Sequence, residues 1–323
     1  MLLSQEQMIK GSMLNVTQRI MYHHKFKMLD DKKKRLLTRV ILTTLDFRGI
    51  NLEAKYLDLM QQILHYGHDS DNRTGIRTRS ILGAQLRYNL QHGFPVLTTK
   101  EINFLLPVKE MLWFLSGCTN IKPLQEQRVY IWNEWADDDG DLGPVYGKQW
   151  RDFNGVDQVA DLVSSLKNKP NSRRHIISGW NPSVLPDESI PPHENVKYGK
   201  AALPPCHILY QFDLVGDKLT GQLYIRSNDM FLGNPFNTIG LAALTHMLAQ
   251  QCDYDVGEII LHIANAHIYH NHFEQVDLQL LRKPFEFPKL EIRKAKDIFS
   301  YKPSDFYLHG YKCHSKIRAK VAV

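Results

Sequence analysis

Three features of this 323-residue chain predict an α+β fold. Segments with apolar residues at helical spacing and segments with strand-like alternation both occur. They are not interleaved as regular βαβ units, which argues against a doubly wound parallel sheet. One pair of strands is joined only by the Gly216-Asp217 turn, the mark of an antiparallel hairpin. With 43% hydrophobic and 23% charged residues, the chain can bury a sizeable core in one large or two ordinary domains.

Taken in order, Tyr56 to Tyr66 has helical spacing and stops at Gly67. Arg73 to Ser80 reads as a polar loop, and Ile81 to Leu90 as a strand. Val108 to Leu115 is an apolar helix that carries Lys109 and Glu110. Asp137 to Gly147 is an acidic, glycine-rich loop, and Val156 to Leu166 an amphipathic helix. Strands follow at Ile176 to Trp180, His207 to Leu214 and Leu219 to Ile225, with Pro182 to Lys200 as a surface loop between the first two. Asn237 to Gln251 is a long, mostly apolar helix, with Asn237 in the role of its N-cap. An alternating strand-to-loop segment then holds His262, His267, His270 and His272.

Charge is unevenly spread. Residues 1–54 hold ten Lys or Arg against five Asp or Glu, so +5 of the net +6 lies there. The nearly neutral remainder argues against a broad nucleic-acid-binding face. Within this basic extension, Lys32-Lys33-Lys34-Arg35 precedes Leu36-Leu37 and Val40-Ile41-Leu42, the pattern of a solvated amphipathic helix. A weak nucleic-acid or membrane patch competes with that reading, whereas Glu6, Asp30 and Asp31 count against a transit peptide. No apolar run approaches the ~18 residues of a membrane span. Four scattered cysteines without a CxxC pair suit a reducing, cytoplasmic compartment.

The residues that carry chemistry converge on two neighbouring runs. Leu203-Pro204-Pro205-Cys206-His207 holds a cysteine stiffly, because each proline fixes its own φ. Tyr224-Ile225-Arg226-Ser227-Asn228-Asp229 then supplies a guanidinium able to favour a thiolate nucleophile. An inert core cysteine is the competing reading. Arg73, Arg173, Arg174 and Arg226 suit bidentate contact with a phosphate, although surface solvation is the commoner fate of arginine. Glu110, among Met111, Leu112, Trp113 and Phe114, is either a carboxyl with a raised pKa or a residue on a solvated helix edge. The four histidines match no common zinc spacing, so no metal is expected.

LPPCH, the run from Tyr224 to Asn237, and AHIYHNH from Ala266 to His272 resemble the thymidylate synthase family. So do Arg73-Thr74-Gly75, Phe94-Pro95 with Thr98-Thr99-Lys100, EMLWFL from Glu110, Ile131 to Arg151, Ser172 to Arg174, Asp305 to Tyr311, and the closing Ala322-Val323. The resemblance runs in family order from about Tyr56 to the end. It implies a single catalytic domain over 55–323, a mixed sheet flanked by helices, and a homodimer formed through that sheet. It further implies methylation of dUMP to dTMP by the co-substrate 5,10-methylenetetrahydrofolate, with no metal.

By the same resemblance, Cys206 would attack C6 of the pyrimidine. Arg226 would favour the thiolate, Glu110 would move protons with ordered water, and Tyr146 would assist loss of the C5 proton. Arg73, Arg226 and Ser227 would hold the phosphate, joined by Arg173 and Arg174 from the neighbouring subunit. Asn237 would read uracil, since a mispaired buried polar group costs about 1–3 kcal/mol, and His267 and Tyr269 would hold the 3′-hydroxyl. Lys100, Trp132, Asp229 and the Val323 carboxylate would serve the folate.

Departures from the family pattern include Ile225 for glutamine, Thr238-Ile239-Gly240-Leu241 after Asn237, and Arg77 in the Arg73 loop. Ile225 and Gly240 are expected to line or support the pyrimidine pocket. They leave open a dUMP hydroxymethyltransferase in which water, not hydride, ends the reaction. A non-catalytic nucleotide- or RNA-binding relative using the basic extension is a third reading.

Overall fold

The structure, a computed structural model, describes residues 53–321. A boundary between two units falls between Asp58 and Leu59, and each unit is taken by itself. The expected amphipathic helix around Lys32 to Leu42 lies outside the described residues, and the architecture below is that of the second unit and of the first helix, which begins ahead of it.

Helix α1 spans Ala54–Tyr66, and strands β1 (His68–Ser70) and β2 (Thr78–Asn89) follow. Helices α2 (Leu105–Ser116), α3 (Lys122–Glu126), α4 (Tyr146–Arg151) and α5 (Gln158–Asn168) come next, then β3 (Ile176–Ser178) and α6 (Pro192–Lys197). The hairpin β4 (His207–Val215) and β5 (Lys218–Ile225) leads to β6 (Asn228–Asp229), α7 (Gly233–Gln251), β7 (Asp255–Tyr269) and α8 (Phe273–Leu280). A small pair, β8 (Lys289–Ile292) and β9 (Phe306–His309), closes the described chain.

The sheet order is β1-β2-β7-β5-β4-β3, with β6 added beside β7. Strand β7 pairs antiparallel with β2 and parallel with β5, so the sheet is mixed and the α+β expectation holds. The parallel pair is connected through α7, which the sheet then covers. Fourteen of the nineteen α7 residues are buried, as expected of a helix that is apolar on all sides. Ile239, Leu241, Leu244 and Met247 are fully shielded, as are Leu223, Leu261, Tyr210 and Phe212 from the sheet. Each such aliphatic side chain contributes roughly 1.5–3 kcal/mol by leaving water.

Two expectations need correction. The long helix begins at Gly233, with Leu232 at the N-cap, so Asn237 lies within the helix and does not cap it. Pro235 is tolerated in that first turn because the N–H it lacks has no intrahelical partner there anyway. The segment Pro182 to Lys200 is not all loop. It holds a 3-10 turn at Pro182–Val184 and helix α6, in which Asn195 is buried and donates to the Asp187 carbonyl.

Close packing of α7 on the sheet depends on Gly221. A Cβ there would lie 2.2 Å from Thr245 Oγ1 and 3.2 Å from the Phe212 ring. Gly221→Ala is expected to destabilise the protein by about 1–3 kcal/mol through overpacking. A denaturant titration checks this, and an unchanged midpoint would show that α7 can shift away.

Candidate active site

Cys206 sits just ahead of β4, where one bond from the residue after β5 and a phenol fix its backbone. Its carbonyl accepts from Arg226 N–H at 3.0 Å. Its own N–H donates to Tyr146 Oη at 2.8 Å, and His207 N–H reaches the same oxygen at 3.4 Å. Tyr146 opens α4 immediately after the acidic loop. That loop is shaped by its own carboxylates: Asp137 accepts from Asp139 and Asp141 N–H, and Asp141 from Leu142 and Gly143 N–H. Gly143, at φ +67, passes so close to the Lys200 carbonyl that a Cβ would stand 2.1 Å from it. The two segments bearing Tyr146 and Cys206 are thereby brought together.

Arg226 is turned onto the proline pair. Its Nε donates to the Pro205 carbonyl at 2.9 Å and Nη2 to the Pro204 carbonyl at 3.0 Å. The prolines therefore stiffen both the thiol and the guanidinium. The thiolate balance differs from the expectation. Burial pushes the Cys206 thiol up, and the opposing pull of Arg226 and Arg73 does not overcome it. Before a nucleotide arrives, the thiol is held protonated.

Glu110 faces inward. Burial raises its carboxyl to about 7, against the opposing effect of the Trp132 indole N–H, which donates to Oε1 at 2.8 Å. Trp132 stands in an aromatic wall with Trp113, Phe114, Trp135 and Tyr146, at ring-centroid distances of 5.7–6.4 Å. Burial also keeps Tyr146 a neutral phenol, with the nearby charges of Cys206 and Glu110 adding to the effect. Behind Tyr146 and Pro205 lies a cavity of about 10 Å³, room for one water at most.

The opposite rim is built at the end of β7. Asp229 on β6 is in register with His267, and its Oδ1 caps Phe231 and Leu232 N–H. His267 is buried, makes a 3.1 Å contact with Asn265 Oδ1, and lies edge-on to Tyr269. Arg73, exposed in the loop before β2, brings its charge to bear on both Tyr269 and Cys206. Ser227 lies between Arg226 and β6, half-buried.

One group escaped the sequence reading. His207 is buried, neutral and held down to about 4 by desolvation, while the Asn237 side chain hydrogen-bonds to it. Its Nδ1 lies 2.9 Å from Tyr210 Oη. The chain Asn237–His207–Tyr210 fixes the Asn237 amide against the residue that follows Cys206. The histidine directly after the thiol, leading an inward-facing strand, was the available signal. Ile225 is closed in the core between His207 and Ile263 in register. Gly240 leaves space for Met111, whose Cε would lie 3.2 Å from an added Cβ.

The other expected site residues are placed as follows. Lys100 is buried, its ammonium donating to the Phe231 carbonyl and covering the Phe231 ring at 3.4 Å. Arg173 and Arg174 are exposed ahead of edge strand β3. The next residue, His175, accepts from Phe212 N–H. Phe212 is six strand residues from Cys206, so these arginines stand about 20 Å away along β4. The histidines do not converge: His262 is bound to Gln222, His270 to Asp69 and His272 to the Lys320 carbonyl. Val323 lies outside the described residues. No described helix is long and apolar enough to cross a membrane.

The thymidylate synthase family profile matches residues 54–323. Among similar proteins, the thymidylate synthase of Francisella philomiragia subsp. philomiragia is 52% identical over 272 residues, covering 83% of this chain and 99% of that protein. That of Francisella tularensis subsp. holarctica is 53% identical over 272 residues, with the same coverage.

Proposed function

The chain belongs to the thymidylate synthase family, and from that premise we propose that it converts dUMP to dTMP through a covalent adduct at Cys206. The carrying observation is that Arg226 and Tyr146 both hold the Cys206 backbone, and that Tyr146 packs against the Trp132 ring of the Glu110–Trp132 pair. Methyl, not hydroxymethyl, is the product in keeping with the relatives.

In this reading Arg73, Arg226 and Ser227 bind the 5′-phosphate, and His267 with Tyr269 the 3′-hydroxyl. Asn237, oriented by His207, accepts from uracil N3–H and donates to O4. The Cys206 sulfur bonds to C6, and the electron pair released moves to C5, which becomes the nucleophile. Arg226 compensates the thiolate that burial disfavours, so deprotonation accompanies nucleotide docking.

The aromatic wall at Trp132, with a buried carboxyl titrating near neutrality beside it, fits a flat, hydrogen-bonding pterin. Methylenetetrahydrofolate supplies both the one-carbon unit and the hydride that completes the methyl group. Glu110, poised at about 7, can donate a proton to a developing anion and take it back. Tyr146, a neutral phenol pinned to the Cys206 backbone, relays the proton lost from C5. Once hydride has completed the methyl group carried on C5, the C5–C6 double bond re-forms, the C6–S bond breaks and the Cys206 thiolate is regenerated. Asp229, Lys100 and Val323 complete the folate side.

The same premise makes residues 55–323 the catalytic domain and the assembly a homodimer through the outer sheet face. That face exposes Ile176 and Val215 on either side of strands carrying a half-buried Tyr224–His262 stack. The distance of Arg173 and Arg174 from their own Cys206 supports their use on the partner's phosphate.

Incubation of the full chain with dUMP and methylenetetrahydrofolate tests the reading. Dihydrofolate absorbance should rise together with a methyl-mass nucleotide. A hydroxymethyl product without dihydrofolate would overturn it.

A further inference from the structure

The carboxylate of Asp69 joins elements that are far apart in sequence. It lies on β1, in register with Arg79 on β2, which in turn faces Ile268 on β7. Arg79 grips it with two bonds, Nε to Oδ1 at 2.7 Å and Nη2 to Oδ2 at 3.0 Å. His270 Nε2, just beyond Tyr269, meets the same Oδ1 at 3.0 Å. Arg79 is itself anchored on the Leu64 carbonyl at 2.8 Å and lies over the Phe273 ring, against which His270 also packs. This bidentate, charge-assisted hub ties the end of β7 to the two strands that bracket the Arg73 loop.

The loop has little freedom left. His270 N–H donates to the Arg77 carbonyl at 2.9 Å, closing one end. Inside, Asn72 Oδ1 accepts from Thr74 N–H and Oγ1–H, while Asn72 Nδ2 donates to the Ile76 carbonyl at 2.7 Å. The Arg77 guanidinium pairs with Asp71 at 3.1 Å. Arg73 therefore rides on a turn whose position relative to Tyr269 is set at Asp69 and His270.

We propose that Asp69 is a positioning residue for nucleotide binding, acting through His270 and Arg79 to fix the Arg73 loop against the Tyr269 rim. The inference rests on the proposed phosphate role of Arg73. Its function is to spend the ordering entropy of the loop during folding, so that dUMP meets an arginine already in place. Asp69 itself touches no substrate.

The test is a thermodynamic cycle on the full chain, read as the dUMP dissociation constant by calorimetric titration up to millimolar nucleotide. Asp69→Asn should weaken dUMP binding about tenfold. In an Arg73→Ala background the same change should have less than about a twofold effect, because the residue it positions is gone. His270→Ala, which leaves the Arg79 pair intact, should weaken dUMP binding in the same direction and also lose its effect without Arg73. In steady state, KM for dUMP should rise while kcat and KM for the folate stay within about twofold. Equal losses with and without Arg73 would mean general structural damage and overturn the proposal, as would unchanged dUMP affinity in Asp69→Asn. An unaltered chain that fails to bind dUMP would overturn the catalytic reading and this inference together, whereas intact turnover with a flat response to Asp69→Asn overturns only the latter.

Discussion

Cys206→Ala is expected to lower dTMP formation by at least about 10⁴-fold while leaving the nucleotide bound, because the variant loses the covalent route and keeps the phosphate contacts. The loss should fall on kcat. The alanine fits where the thiol stood, and the backbone bonds to Tyr146 and Arg226 do not involve the sulfur. Dihydrofolate absorbance gives the rate, calorimetry gives dUMP affinity, and denaturing mass spectrometry should show the nucleotide adduct in the unaltered enzyme alone. Residual turnover within tenfold of the unaltered rate would remove Cys206 as nucleophile. The pH profile carries a second signature. Since burial lifts the thiol above its ordinary range, adduct formation should speed up on the alkaline side of neutrality.

Glu110→Gln should have the next largest effect, a fall in kcat of about 10²–10⁴-fold. Glutamine preserves an acceptor for the Trp132 indole N–H, so the loss isolates proton transfer from packing. Stability should change in the opposite direction. The folded carboxyl titrates at about 7 against 4.5 for the ordinary group. Between those values the folded protein binds the proton more tightly than the unfolded chain does. The resulting stability is fully present below 4.5 and is lost as pH rises through about 7. A buried Glu110 anion therefore costs on the order of 3 kcal/mol at pH 8, a cost that glutamine does not incur. Denaturant titrations should find Glu110→Gln more stable than the unaltered protein at pH 8, with the difference largely gone at pH 5. A catalytic loss with no such pH-dependent gain would place Glu110 in a polar, hydrated setting.

What could be read from the sequence was what short-range chemistry decides. Helices α1, α2 and α5 and the β4–β5 hairpin were legible because each carries its own period and its own stop. The start of α7 was not, since Gly233 and Pro235 look like breakers until the first turn is recognised as the place that tolerates them. Strand β7 is buried on successive residues at Ile259–Leu261 and again at Ala266–Ile268, which blurs its alternation. Strands β1 and β6 are two or three residues long and exist only through their partners. At the site, Cys206 and Arg226 were legible as neighbours across a hairpin. The sequence displayed the cation beside the thiol but not the burial that outweighs it. Tyr146 on the Cys206 backbone, or Asp69 against His270, depends on tertiary closure across 60 and 201 residues.

The two-sided pairing of β7 also sets an order of events in time. The β4–β5 hairpin closes on itself, so Cys206 and Arg226 can meet as soon as residue 226 has left the ribosome. Strand β2, with Arg73 just ahead of it, has its long ladder only with β7, and Thr78 pairs with Tyr269 at its far end. Loop closure over that span is slow and late. A nascent chain thus carries its nucleophile and Arg226 long before the Arg73 loop is fixed, and until β7 arrives one edge of β2 waits without its ladder, open to pairing with another chain.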